Sequence, residues 1–224
     1  MICIPIMAKD TAEAVEKIAR ANPLADVLEL RLDVMESFRL TDMLQAASKP
    51  LIVTYRSKEE GGHGSADDET RADYLFEAIE AHVDYVDMEY RMPMEVQRRI
   101  LQNRRKTKVI VSVHILDSTP PEEELEEILK SLTRTQADIV KIITQAQQPV
   151  DNLRVMNLIP RATGMGLKII ALCMGEKGRI SRIASPLLGG YLTFASLEQG
   201  EESADGQIPV KEMREMMERL KAEG

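Results

Sequence analysis

Ile139-Val140-Lys141-Ile142-Ile143-Thr144 is an apolar, largely β-branched run with one lysine inside it. It reads as a fully buried strand. Working outward, comparable runs recur at Met1–Met7, Val27–Asp33, Leu51–Arg56, Tyr85–Tyr90, Lys108–Ile115, Lys168–Met174 and Tyr191–Ser196. Each is followed by a helical pattern: Thr11–Ala21, Thr41–Ser48, Glu69–His82, Pro93–Arg104, Pro121–Leu132, Asp151–Ala162, Ile180–Leu188 and Pro209–Ala222. Asp10 or Thr11, the Ser118-Thr119-Pro120-Pro121 stretch and Pro209 supply helix starts. Eight β/α units in 224 residues predict a closed (β/α)8 TIM barrel, with an open doubly wound sheet as the other arrangement of the same units. No linker or composition shift divides the chain, so residues 1–224 are read as one domain. Pro5 lacks a ladder donor, so the first strand is expected to be short or irregular there.

Composition narrows the function classes. A net charge of −8 and an aromatic content of 4% argue against nucleic acid as a partner. No apolar run approaches the ~20 residues that span a bilayer, and Met1–Met7 lacks the basic lead-in and cleavage site of a signal peptide. The expectation is a cytoplasmic protein. Cys3 and Cys173 fall within strand-like runs, which suits reduced core thiols better than disulfides or a metal cluster. The stripe of Met213, Met216, Met217 and Leu220 suits core packing. His63 is placed in a loop and His82 at a helix end, where its charge suits the dipole.

Burial disfavours an ammonium, so Lys141 is a candidate amine nucleophile; the plainer alternative is a lysine that snorkels to the strand end or pairs with a carboxylate. Its neighbours bear on that choice. Residues two apart on a strand face the same way. Glu29, Arg31 and Asp33 therefore share a face, as do Thr54 with Arg56, Asp87 with Glu89, and Ser112 with His114. In a barrel the outer face packs on helices, so these rows point inward at the C-terminal mouth. Stability does not explain five strands repeating such a row, because apolar layers would fill the lumen at less cost. Two Gly-containing loops, Ser57–Asp68 and Leu197–Ile208, follow the third and eighth strands on that same side. The basic, Gly-rich segment Gly175–Arg182 opens a helix after the seventh strand and suits an anion. Arg31, Arg56, Lys141 and Arg182 thus gather at one mouth, implying a small carboxylate or phosphate ligand.

Taken in order, Glu29-Leu30-Arg31, Thr54-Tyr55-Arg56, Glu60-Gly61-Gly62, His114, Lys141, Met174 to Gly178, Ile180-Ser181-Arg182, Thr193-Phe194 and Ser203-Ala204-Asp205-Gly206-Gln207 resemble the motif series of type I 3-dehydroquinate dehydratases. The resemblance runs from Met1 to Leu220, and its specificity lies in the order and spacing of the motifs together. It implies a shikimate-pathway lyase, serving aromatic amino acid biosynthesis, that converts 3-dehydroquinate to 3-dehydroshikimate. It also implies no cofactor beyond a covalent imine on Lys141, and a homodimer. By matched position, Lys141 forms the imine, His114 shuttles protons and Glu60 orients His114. Arg182 holds the substrate carboxylate, while Glu29, Arg31, Arg56, Met174, Phe194, Ser203 and Gln207 line the pocket. The segment carrying Ser203 and Gln207 is expected to act as a lid. Two competing readings remain: a class I Schiff-base aldolase on the same barrel, and a non-catalytic barrel that binds a small anion. A metal enzyme fits less well, since the acidic residues are interleaved with arginines and no close histidine cluster accompanies them.

Overall fold

A computed structural model describes residues 1–221 of the chain; Ala222, where the last helix is expected to end, lies outside them. Strand β1 (Ile2–Ile6) leads to α1 (Thr11–Ala21), β2 (Val27–Arg31) to α2 (Leu40–Ala46), β3 (Leu51–Thr54) to α3 (Asp68–Glu80) and β4 (Tyr85–Glu89) to α4 (Met94–Asn103). Then β5 (Lys108–Ile115) leads to α5 (Glu122–Arg134), and β6 (Ile139–Gln145) to the pair α6 (Asp151–Met156) and α7 (Leu158–Gly164). Strand β7 (Lys168–Met174) leads to α8 (Arg179–Leu187), and β8 (Thr193–Phe194) to α9 (Val210–Lys221). The strands are parallel and ordered β7-β6-β5-β4-β3-β2-β1-β8. The Tyr191 amide donates to the Ile169 carbonyl at 2.7 Å, bringing the chain before β8 against β7 and nearly closing the ring. The molecule is the (β/α)8 barrel that the alternation predicts, not an open sheet.

The apolar residues sort by strand parity into two cores. One lies between strands and helices and takes residues such as Leu28, Val53, Val86, Val111, Val140 and Ala171. The other plugs the N-terminal half of the lumen with Cys3, Val27, Ile52, Tyr85, Ile110, Ile139 and Ile170. Two residues further along β2 to β6, the inward positions become Glu29, Thr54, Asp87, Ser112 and Lys141, all buried. The change from plug to polar layer takes one inward step on each of five strands.

Local chemistry sets several boundaries. Asp10 caps α1 by accepting the Glu13 amide at 3.0 Å, and Asp67 caps α3 through Thr70 at 2.8 Å. The single helix expected over Asp151–Ala162 is two helices, because Pro160 cannot donate to the carbonyl of Met156 and its ring crowds that group. Strand β1 is regular through Pro5, contrary to expectation. The carbonyls of Met1 and Cys3 accept from Thr193 and Ala195, so Pro5, by alternation, faces β8 where that ladder has already ended. Strand β8 is shorter than expected because Ser196 pairs with Ile208 and Val210 instead of continuing the barrel. Strand β2 stops at Arg31, and a 3-10 turn over Leu32–Val34 carries Asp33. His63 is exposed in the loop after β3, and His82 lies just past α3 with a left-handed φ of 61°.

Candidate active site

The polar layer is a connected network. Lys141 Nζ lies 2.8 Å from Asp87 Oδ2 and 3.9 Å from Glu29 Oε1. Its ammonium sits 4.7 Å above the Phe194 ring. Asp87 is held on its other oxygen by Ser112 Oγ at 2.5 Å and by Arg56 at 2.8 Å. Burial works against ionisation of Asp87, yet Arg56 and Lys141 keep it well below the usual carboxylate range. Thr54 Oγ1 donates to Glu29 at 2.8 Å. The plain alternative for Lys141, pairing with a carboxylate, therefore describes its ligand-free contacts.

Arg56 is the junction of the network. Besides Asp87 it reaches Glu89 at 3.1 Å, Glu60 at 3.3 Å and Ser112 at 2.9 Å. Burial opposes its charge, but Asp87, Glu89 and Glu60 outweigh that and raise it above the ordinary guanidinium range. Glu89 is in turn gripped by Arg71 from α3 and by the Ser57 amide and hydroxyl, each of the latter at 2.8 Å. The loop after β3 is pinned there, which brings Glu60 Oε2 within 2.8 Å of His114 Nδ1. Burial, with Glu89 and Asp87 nearby, lifts Glu60 to about 8 against the pull of Arg56, and its Oε1 is buried without a partner. Burial, then Arg56 and Lys141, push His114 well below its ordinary value, so the imidazole is neutral. With Nδ1 on Glu60, Nε2 is the nitrogen left for a ligand.

The far wall comes from β7, the first turn of α8 and the segment after β8. Arg182 is 3% exposed and donates to the Asp205 carbonyl at 2.9 Å, while its Nε has no partner. Burial lowers it to about 10. The Gly175 amide donates to the same carbonyl at 3.1 Å. Gly206 is left-handed at φ 77°, and a Cβ there would sit 2.2 Å from the Gly175 carbonyl, so only glycine lets the segment lie this close. Ser203 and Gln207 bond to each other, amide to Oε1 at 2.8 Å and Nε2 to Oγ at 2.9 Å. Arg31 is instead tied down by both oxygens of Asp33, at 2.8 and 2.7 Å.

These walls enclose a cavity of about 380 Å³. Glu29, Arg31, Arg56, Glu60, His114, Lys141, Met174, Arg182, Phe194, Ser203 and Gln207 all line it, so the sequence-derived set converges on one space. The same lining contains Leu116, Ile143 and Gln145, which sequence reasoning did not single out. Strand parity places Ile143 and Gln145 at the next inward positions after Lys141, but it specifies no contact for them. Asp87 was visible as an inward carboxylate, though not as the partner of Lys141. The arrangement offers a lysine amine, a neutral imidazole and a buried guanidinium around one small-molecule space. That set suits covalent attack on a carbonyl, proton transfer beside it and anchoring of an acid group. Cys3 and Cys173 are buried free thiols whose titration burial pushes up. Among the described residues, no group of three or more His, Cys, Asp or Glu could hold a metal ion, and no helix is long and apolar enough to cross a membrane.

Comparison with known proteins points one way. The family model described as type I 3-dehydroquinase matches residues 2–223. A 3-dehydroquinate dehydratase of Thermococcus gammatolerans is 39% identical over 219 residues, covering 97% of each chain. The crystal structure of 3-dehydroquinate dehydratase from Geobacillus kaustophilus superimposes with a TM-score of 0.90 at 26% identity, covering 100% of this chain and 91% of that one. A type I 3-dehydroquinate dehydratase from Clostridium difficile, solved with covalently modified comenic acid, gives 0.87 at 26% identity, covering 98% and 91%.

Proposed function

We propose that the chain, which belongs to the type I 3-dehydroquinase family and is a 3-dehydroquinate dehydratase, eliminates water from its substrate through a covalent imine on Lys141. The observation that carries this reading is that Lys141 and His114 face one cavity from adjacent strands, with Arg182 across it. In the proposed sequence the Lys141 ammonium passes a proton to the ketone oxygen as its amine attacks the carbonyl carbon, and the nitrogen then gives that oxygen a second proton. Loss of the carbonyl oxygen as water leaves a protonated imine. The positive charge then sits where the ammonium stood, beside the ionised Asp87 and near Glu29, so the network that held the lysine also stabilises the electron sink. His114 Nε2 removes the α-proton, giving an enamine. The enamine expels the β-hydroxyl, which leaves as water with the proton His114 has taken up, and hydrolysis of the conjugated imine frees 3-dehydroshikimate and Lys141. Glu60 holds Nδ1 throughout.

In this reading Arg182 binds the substrate carboxylate. Glu29, Arg31, Arg56, Met174, Phe194, Ser203 and Gln207 contact the remainder, and the Ser203–Gln207 segment acts as a lid. No cofactor takes part. The protein is a cytoplasmic homodimer of the shikimate pathway, serving aromatic amino acid biosynthesis, with 3-dehydroquinate as its small-molecule partner. Conversion of 3-dehydroquinate, followed by the appearance of the conjugated product in the ultraviolet, tests the reading directly; aldol cleavage products or binding without turnover would replace it.

Arg182→Lys is expected to raise KM about tenfold with a smaller change in kcat, because a point charge cannot reproduce a forked guanidinium contact. Steady-state kinetics decide this, and an unchanged KM would remove Arg182 from the carboxylate.

A further inference from the structure

Gln145 is the last residue of β6, two inward positions beyond Lys141, and its side chain lines the cavity. It is half-buried, and among the described residues its side-chain amide has no hydrogen-bond partner, while its backbone N–H donates to the Ser118 carbonyl at 3.3 Å. Other polar side chains at the strand ends are engaged: Arg31 with Asp33, His114 with Glu60 of the loop after β3, and Thr144 with Thr119. The amide is also held in place. A Cβ on Gly175 would fall 2.5 Å from Gln145 Nε2, so the amide packs directly on the Gly175 backbone and occupies the space that any other residue there would fill. Gly175 and Arg182 in turn donate to the same Asp205 carbonyl. Gln145 therefore lies at the Arg182 end of the cavity. Both residues line the same cavity, and the side-chain amide of Gln145 is a neutral donor.

We infer that Gln145 is a further substrate-binding and specificity-determining residue, whose amide donates to the carboxylate end of 3-dehydroquinate beside Arg182. The inference rests on the dehydratase reading with Arg182 on the carboxylate. An unpaired amide over a cavity gains a charge-assisted bond when a carboxylate arrives, and a site that depends on that bond discriminates against ligands without it. A carboxylate at this position would instead repel the ligand.

The test is steady-state kinetics with 3-dehydroquinate. Gln145→Met keeps the length and removes the donor, and should raise KM about tenfold while kcat stays within about twofold. Gln145→Glu should raise KM further, and that excess should shrink as ionic strength rises, because like-charge repulsion at a half-open site is screened. The double variant with Arg182→Lys should raise KM by less than the product of the two single effects, since both residues hold one group. A general loosening of the barrel would lower kcat and thermal stability and would leave no salt-dependent difference between methionine and glutamate. If the methionine variant fails to fold, the salt dependence of the glutamate variant decides. Wild-type KM in these variants, with Arg182→Lys impaired, overturns the role of Gln145 alone; an unchanged KM in Arg182→Lys overturns the carboxylate placement and this inference with it.

Discussion

Borohydride added together with 3-dehydroquinate should inactivate the protein and leave a reduced adduct on Lys141, while borohydride alone should not. Lys141 is the amine inside the lumen, 4% exposed and set between Asp87, Glu29 and the Phe194 ring. Any imine formed there is shielded from bulk water and accompanied by carboxylates that favour its protonated, electron-withdrawing form. Lys141→Ala removes the attachment point altogether, and the loss in kcat should be on the order of 10⁴-fold or more, as for other covalent catalytic groups. Peptide mapping after reduction and the turnover of Lys141→Ala are the two measurements. An adduct on another lysine, or substantial activity in the alanine variant, would end the imine assignment.

Replacing His114 should separate the two halves of the chemistry. His114→Ala leaves Lys141 with its Asp87 partner and so should still form the imine, which intact-mass analysis after reduction would detect as an accumulating adduct. Product formation should fall about 10²–10⁴-fold, the usual contribution of a positioned acid–base group. The pH profile gives an independent reading. A protonated imidazole cannot accept the α-proton, so the wild-type rate falls as pH drops through the histidine's titration. Burial, Arg56 and Lys141 displace that titration well below the ordinary histidine value. The acid limb should therefore lie below that value in the wild type and vanish in the variant. Near-normal turnover in His114→Ala would transfer proton transfer to another group, with Glu60 the first to examine.

Much of the barrel was determined by the sequence itself, because both of its governing periods are local. Alternating strand and helix patterns specify eight β/α units, and the period of two along each strand assigns Val27, Ile52, Tyr85, Ile110 and Ile139 to one face together with the polar residues two places on. A strand that packs helices outside has only one place for Glu29, Thr54, Asp87, Ser112 and Lys141, and that is the lumen. Local chemistry explains some of the misjudged boundaries equally well. Pro160 breaks a helix through its own missing donor, and a reading of donors as well as periodicity would have found the break.

The partners inside the lumen were decided by the tertiary structure alone. Lys141 bonds Asp87 and His114 bonds Glu60, each pair 54 residues apart in the chain. Strand parity says that these groups face inward, but which of several inward carboxylates meets which cation depends on the stagger of neighbouring strands and on how the loop after β3 is pinned. Arg56 could have been read as a free anion-binding cation; in the fold three carboxylates and a serine hydroxyl surround it. Gln145 carried no motif, and only the close approach of Gly175 places its amide at the Arg182 end. The facing direction of a side chain is settled by the few residues around it, whereas the pairing of buried charges is settled by distances between segments that meet only when the barrel closes.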